Sequence, residues 1–341
     1  EVQASKGKDI TELYDKVDNS LADYFKTIRD GIANLDESTK LDYQSILFKM
    51  GRIVYLDSYI TQLKDSYGID LFEGSEKQCQ DWLSEHTFHQ ISSLDSERIG
   101  VITGIANTLS FDSKWSNSVG EETRLFTDVN SISYERNYLT GKGNSMEDCY
   151  NHRPTCIKYG LFSPEGTSVL WLPYGNGAFS LGIILPPEGK DINQFIQGMT
   201  YDSFKKWYQK SSETLSNLIY HIPTFTNEFQ TQYCESAFEE MGYISFRGTT
   251  NLAKHQDRPE INDFSRAVST DLDGERPMFQ FEQGARISVS KTGTQVVSYT
   301  TSKGEYATGV HEPLVFIADR PFVYAIVDVH GSILFMGTVT K

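Results

Sequence analysis

Apolar residues recur along this chain with two different periods, helical in its first part and strand-like in its last. Leu13, Val17, Leu21, Tyr24, Phe25 and Ile28 repeat every three or four positions, which predicts an amphipathic helix. Ile60, Leu63 and Tyr67 keep that spacing, and residues 78–88, with Trp82 and Leu83, form a further helical pattern. Between these, residues 46–55 read as a strand. From Ile102 the period shortens: residues 102–111 predict a strand, and 168–172 and 179–185 flank Gly175, Asn176 and Gly177 as a hairpin. Residues 193–207 return to helix, and strands follow over 218–225, 279–289, 313–317, 322–328 and 333–338, the last two joined at His330 and Gly331. There is no internal repeat and no low-complexity linker. Strands and helices are segregated, not alternating as βαβ units, so the pattern predicts one α+β domain with two or more large sheets.

One segment fits this scheme poorly. Residues 292–302, TGTQVVSYTTS, contain no charge and no proline, and Thr294, Val296, Val297, Tyr299, Thr300 and Thr301 suit a pleated surface. The run nevertheless ends at Ser302, Lys303 and Gly304 and leads into a polar stretch, 305–312. An ordinary strand followed by a surface loop is one reading. Exchange between strand and loop is the other.

Composition narrows the function classes. The 341 residues are 38% hydrophobic and 13% aromatic, enough for a large core, and no stretch reaches the roughly 20 apolar residues of a membrane span. The formal charge of -15, from 46 acidic and 31 basic residues, argues against nucleic acid, whose binding rests on neutralisation by Lys and Arg. The densest basic cluster, Lys205, Lys206 and Lys210 around Trp207, reads as a solvated helix face. Cys79, Cys149, Cys156 and Cys234 lack metal-ligand spacing, and His86 and His89 have no suitable partner beyond Glu85, so no metal site is expected. Cys149 and Cys156 fit a disulfide and two free thiols about equally well. No G-x-S-x-G, H-E-x-x-H, P-loop or G-x-G-x-x-G motif occurs, and Gly175, Gly177 and Gly182 read as turn glycines. Neither an enzyme nor a cofactor is expected. The chain starts at Glu1 without methionine or a signal-like apolar run, which predicts that a leader or a longer N-terminal part has been removed.

Several segments, in order, resemble the serpin family: Asn107-Thr-Leu-Ser-Phe111-Asp-Ser-Lys-Trp115, Leu172-Pro-Tyr174 with Ile183-Ile-Leu-Pro186, Gly293-Thr294, Asp319-Arg-Pro-Phe322 and Ser332-Ile-Leu-Phe-Met-Gly337. The resemblance implies a single serpin-like domain over 1–341, with three β-sheets, eight or nine helices and an exposed C-terminal reactive loop at about 293–312. It implies a suicide inhibitor: a serine protease cleaves the loop, is held as an acyl-enzyme, and the freed loop enters the main sheet as a strand. The alternative within the family is a non-inhibitory carrier or binding protein.

The resemblance also assigns residues. Gly293 begins the hinge, followed by Thr294, Gln295, Val296, Val297 and Ser298, and the scissile bond falls fourteen positions beyond Gly293, at Ala307 and Thr308. Thr294, Val296, Ser298 and Thr300 alternate onto one uncharged face that suits a core. A small Ala307 suits an elastase-like or subtilisin-like partner; Tyr306 would select a chymotrypsin-like enzyme and Lys303 a trypsin-like one. Asn107, Trp115 and Gln283 fall in the sheet-opening region. The expected protein is a monomer, secreted or at a cell surface or in a periplasm. Departures from the pattern are Lys291 and Gln295 where Glu is usual, Gln283 where His is usual, and Val296, Val297 and Tyr299 where small alanines are usual. Ala4-Ser-Lys-Gly7 resembles the close of the second helix, so the first helix and the following strand are expected to be missing, and the stretch from Gly68 to Trp82 is shorter than usual.

Overall fold

The computed structural model describes residues 36–49, 53–87, 103–151, 155–164, 166–213, 217–231, 248–249, 262–263, 265–269, 283–293 and 313–341. In chain order the first strands are β1 (Lys40–Lys49), β2 (Asp70–Glu73), β3 (Thr103–Asp112), β4 (Gly120–Thr127), β5 (Ser133–Lys142), β6 (Lys158–Phe162), β7 (Thr167–Tyr174), β8 (Phe179–Leu185) and β9 (Ser212–Glu213). They are followed by β10 (Leu218–Pro223), β11 (Phe225–Thr231), β12 (Gly248–Thr249), β13 (Asn262–Asp263), β14 (Gln283–Val289), β15 (Leu314–Ile317), β16 (Phe322–Asp328) and β17 (Ile333–Val339). The chain divides into two compact units, one of Glu1–Asn34, Leu41–Ser110 and Glu228–Arg286, the other of Leu35–Lys40, Phe111–Asn227 and Ile287–Lys341.

In the first unit β1 lies between β2 and β3, parallel to β2. The strand expected over 46–55 starts earlier, as Lys40–Lys49; residues 50–52 lie outside the described residues, and Ile53 and Val54 are not in a strand. Polar residues mask its start: Ser45 is buried although hydropathy counts it as surface. The pattern of Ile60, Leu63 and Tyr67 is realised as a short helix, α1 (Asp57–Gln62), that widens into a π-turn over Leu63–Tyr67 and is closed by Gly68 at φ 66. Leu63 from this turn packs with Leu47, Ile53, Tyr55, Ala267 and Val268. Helix α2 (Glu76–His86) starts at a capping box in which Ser75 and Gln78 satisfy each other's backbone N–H. The helix expected over 13–28, and His89, lie outside the described residues.

The second unit is built on six antiparallel strands in the order β17-β16-β8-β7-β6-β9. All seven residues of β16 are buried, which explains why this interior strand reads as an almost continuous apolar run. One face carries Trp171, Ile184, Val323, Ala325 and Val327 against Ile192, Phe204 and Trp207. Those last three come from two helices, α4 (Ile192–Gln197) and α5 (Tyr201–Lys210), where the sequence predicts one. The break has a local cause: Gly198 N–H closes α4 on Gln194 and Phe195 carbonyls, and Thr200 starts α5 through a reciprocal bond with Ser203. Phe195 and Trp207 stack across the break, ring centroids 5.8 Å apart. Lys205, Lys206 and Lys210 lie on the exposed face of α5, as the pattern predicts.

A four-stranded sheet, β15-β10-β5-β4, also belongs to this unit, with β15 parallel to β10. The strand expected over 218–225 is interrupted at Thr224, whose N–H still bonds to the Asn137 carbonyl of β5 at 2.8 Å before β11 begins at Phe225. A short helix, α3 (Met146–Asn151), follows β5, and Cys149 is bonded to Cys156 with Cα atoms 5.5 Å apart. Of the pair of strands β11 and β14, hydrogen-bonded to each other, only β14 leads to the candidate site.

Gly182 corrects a sequence reading. It is not a turn residue but sits in the middle of β8, directly opposite Trp171 in β7. A Cβ there would overlap the Trp171 ring, which is 1% exposed and held by an indole N–H bond to Ser211 Oγ. Gly182→Val is therefore expected to destabilise by about 1–3 kcal/mol, the usual cost of overpacking a core. Urea unfolding followed by circular dichroism checks this; an unchanged midpoint would contradict it.

Candidate functional site

Within four residues of the end of β14 the chain folds back on itself. Val289, the last strand residue, is 1% exposed, and Ser290 and Gly293 then pair in both directions, N–H to carbonyl, at 3.2 Å each. Ser290 Oγ donates to the Gly293 carbonyl at 3.0 Å and lies 3.1 Å from Thr292 Oγ1. The turn requires Gly293 to take φ 98, a region that L side chains rarely occupy. Space demands glycine as well, since a Cβ would overlap the Ser113 carbonyl and press on the Lys114 backbone.

The surface against which this turn rests is residues 113–116, immediately after β3. Trp115 donates its indole N–H to the Ser290 carbonyl at 2.8 Å, so that carbonyl accepts from both Trp115 and Gly293. The Trp115 ring stacks on Tyr174, with centroids 4.6 Å apart and planes 13° from parallel. Backbone bonds fasten the segment to the end of the β7–β8 hairpin: Ser116 N–H to Pro173 at 3.0 Å and Gly175 N–H to Lys114 at 2.8 Å. Ser116 Oγ adds a bond to the Gly175 carbonyl at 2.8 Å. The turn glycines expected at 175 and 177 have positive φ, 47 and 88.

A buried carboxylate supports the same segment. Asp36 is 6% exposed, and its two oxygens take four donors. Oδ1 accepts from Ser38 N–H at 2.9 Å and Ser38 Oγ at 2.7 Å. Oδ2 accepts from Thr39 Oγ1 at 2.8 Å and Asn176 N–H at 3.2 Å. Burial alone would raise this carboxyl, but the bonds from Ser38, Thr39 and Asn176 outweigh it and hold the group below its usual value of 3.8.

Beyond the candidate loop segment β15 begins at Leu314, whose N–H bonds to the Asn217 carbonyl at 3.0 Å and which pairs with Leu218. Lys291, which departs from the family pattern, lies 3.5 Å from Glu121 with both side chains about half exposed, an arrangement that contributes little. Of the sequence-assigned residues, Gly293 and Trp115 therefore meet at one place through Ser290. Asn107 lies in β3 and Gln283 in β14 by their backbones, in strands that belong to different sheets among the described residues. Thr294, Gln295, Val296, Val297, Ser298, Ala307 and Thr308 lie outside the described residues, as do Lys303 and Tyr306. Sequence reasoning missed Asp36, Thr39, Ser113 and Ser290. The one local signal was Asp36-Glu-Ser-Thr39, in which an Asp precedes two hydroxyl residues at turn spacing.

Comparison with known proteins places these features in a family. Residues 5–341 match the family model described as Serpin (serine protease inhibitor). Iripin-2 of Ixodes ricinus is 22% identical over 351 residues, covering 99% of this chain and 81% of its own. Leukocyte elastase inhibitor A of Rattus norvegicus is 20% identical over 330 residues, covering 92% of this chain and 81% of its own. Among solved structures, the thermophilic serpin tengpin in its native state superposes with a TM-score of 0.78 at 19% identity, covering 94% of this chain and 78% of that one. Thyroxine-binding globulin in complex with thyroxine gives 0.73 at 14% identity, covering 94% and 81%. At such identities the superpositions speak to fold alone.

The geometry generates two predictions. Gly293→Val strains a positive-φ position and drives a side chain into the Ser113 carbonyl, so it should cost on the order of 1–3 kcal/mol or more, read as a lowered thermal midpoint; an unchanged midpoint would show that the turn is not required. For Asp36 the depressed pKa fixes the sign of the pH dependence. Its contribution is fully present above the unfolded-chain value of about 3.9 and fades as the pH falls through the lower folded value. The difference in thermal midpoint between wild type and Asp36→Ala should therefore narrow between about pH 5 and about pH 2. A difference that stays constant over that range would count against the charge as its source.

Proposed function

The chain belongs to the serpin family, and from that premise we propose that it is an irreversible suicide inhibitor of serine proteases, acting through a reactive loop at about 293–312 and not as an enzyme. The observation that carries this reading is the Ser290–Gly293 turn. It closes β14 with bonds that a change at one glycine can undo, just before an uncharged, proline-free run of strand-forming residues.

In the proposed mechanism the protease serine attacks the Ala307 carbonyl, the Thr308 nitrogen leaves as an amine, and Ala307 remains esterified to the enzyme. The turn then opens, Gly293 moves to an extended conformation, and the residues after it add as a strand beside β14. Magnitudes favour that direction. Opening breaks two backbone bonds of the turn, the Ser290 hydroxyl bond to the Gly293 carbonyl and the Trp115 bond, at about 1 kcal/mol net each. A new strand gains about ten ladder bonds, on the order of 10 kcal/mol before side-chain burial. That is comparable with the whole stability of a typical protein, about 5–15 kcal/mol, and is enough to distort a bound protease.

Ala307 at the scissile bond indicates a protease with a shallow primary pocket, elastase-like or subtilisin-like. The bond between Cys149 and Cys156 supports an oxidising location, secreted, cell-surface or periplasmic. A second reading, a non-inhibitory carrier, rests on the bulk of Val296, Val297 and Tyr299, which impedes rapid entry of a strand into a packed sheet.

Incubation with elastase, subtilisin, chymotrypsin and trypsin separates the two. The inhibitor reading expects an SDS-stable complex of one inhibitor and one protease with elastase or subtilisin, and Ala307→Arg should shift trapping to trypsin by at least about tenfold. Clean cleavage by all four, with no covalent complex, would leave the carrier reading.

A further inference from the structure

We propose that Asp36 is a positioning residue for the hinge turn, acting through the 113–116 segment on which Gly293 rests. This rests on the reading of Gly293 as the hinge of an inserting loop. The Thr39 hydroxyl has one proton, and the Asp36 carboxylate can only accept, so that proton points to Oδ2. The 2.7 Å contact between Thr39 Oγ1 and Ser113 Oγ must then run from Ser113 to Thr39. A polarised chain results, Ser113 to Thr39 to Asp36, with Ser113 1% exposed. Its first residue is the one whose carbonyl lies against Gly293.

A second route leaves the same carboxylate oxygen. Oδ2 accepts Asn176 N–H, the neighbouring Gly175 N–H binds the Lys114 carbonyl, and Gly175 has its Cα so near Asp36 and Ser38 that no side chain fits. The two routes fix Ser113 and Lys114 from different sides, and these are the residues a Gly293 side chain would strike. Trp115, next in sequence, carries the bond to Ser290. A shift of this segment by a few tenths of an ångström would lengthen the Trp115 bond and remove the wall behind Gly293. With that support lost, the closed turn opens more often and strand entry begins sooner.

Asparagine is a poor probe here, because its amide can flip to keep the oxygen toward Thr39 and Asn176. Asp36→Ala removes both routes, and Thr39→Val cuts the first while keeping the shape of the side chain. Amide hydrogen exchange is measured on the uncleaved protein, with no protease present. Asp36→Ala should speed exchange in the peptide containing the Ser290 and Gly293 amides by about tenfold and Thr39→Val by several-fold, while β16 amides stay unchanged. If Asp36→Ala also speeds β16, it has loosened the whole unit, and Thr39→Val decides. Faster exchange confined to residues 36–39 and 175–177, with the 290–293 peptide within about twofold of wild type in Thr39→Val, would overturn the proposal. Because no protease enters this measurement, an absence of trapping would count against the inhibitor reading alone. Where wild type does trap a protease, both variants should raise the fraction of cleaved loops that end as covalent complex.

Discussion

The approach of Gly293 to the Ser113 carbonyl is the contact on which the arrangement around the candidate site depends. Without a side chain at 293 the backbone reaches φ 98, closes the pair of bonds with Ser290, and turns the chain away from the line of β14. The same closure presents the Ser290 carbonyl to the Trp115 indole. Each of these features follows from one close packing of backbone on backbone, which tolerates no Cβ.

That contact needs a firm base, and the second unit supplies it. Residues 113–116 are bonded to the end of the β7–β8 hairpin, whose strands lie in the interior of a six-stranded sheet with Tyr174, Phe179 and Trp171 almost fully buried. Phe111, also of this unit, packs edge-on against both Tyr174 and Phe179. The turn itself is held by a handful of hydrogen bonds of modest net strength. The asymmetry suits a switch: a rigid wall that keeps its shape, and a light closure on it that a larger gain elsewhere can open.

Much of the second unit was legible because its signals are local. The hairpins at Gly175–Gly177 and at His330–Gly331 show short turn sequences between apolar runs, and the strands fall within a residue or two of expectation at β8, β15, β16 and β17. Apolar spacing that persists through Gly198 predicts one continuous helix over 193–207, but capping by Thr200 and Ser203 prevails over periodicity there. Gly182 reads as a turn residue because nothing nearby in sequence reveals that a tryptophan eleven positions earlier lies across the strand pair. The site shows the same limit more sharply. Gly293 and Trp115 were found through resemblance, whereas Asp36, Thr39, Ser113 and Asn176 come from three distant stretches and meet only through folding. A buried carboxylate with four donors has no periodicity to betray it.

On this mechanism Gly293 exchanges a closed turn for an extended strand when the loop is cut. A crystal structure of the loop-cleaved protein tests it most directly. In it Gly293 should have left φ near 98 for a negative, extended value, the Ser290–Gly293 bonds should be gone, and residues after 293 should be hydrogen-bonded beside β14. A cleaved protein in which the turn, the Trp115 bond and the positive φ all persist would contradict it.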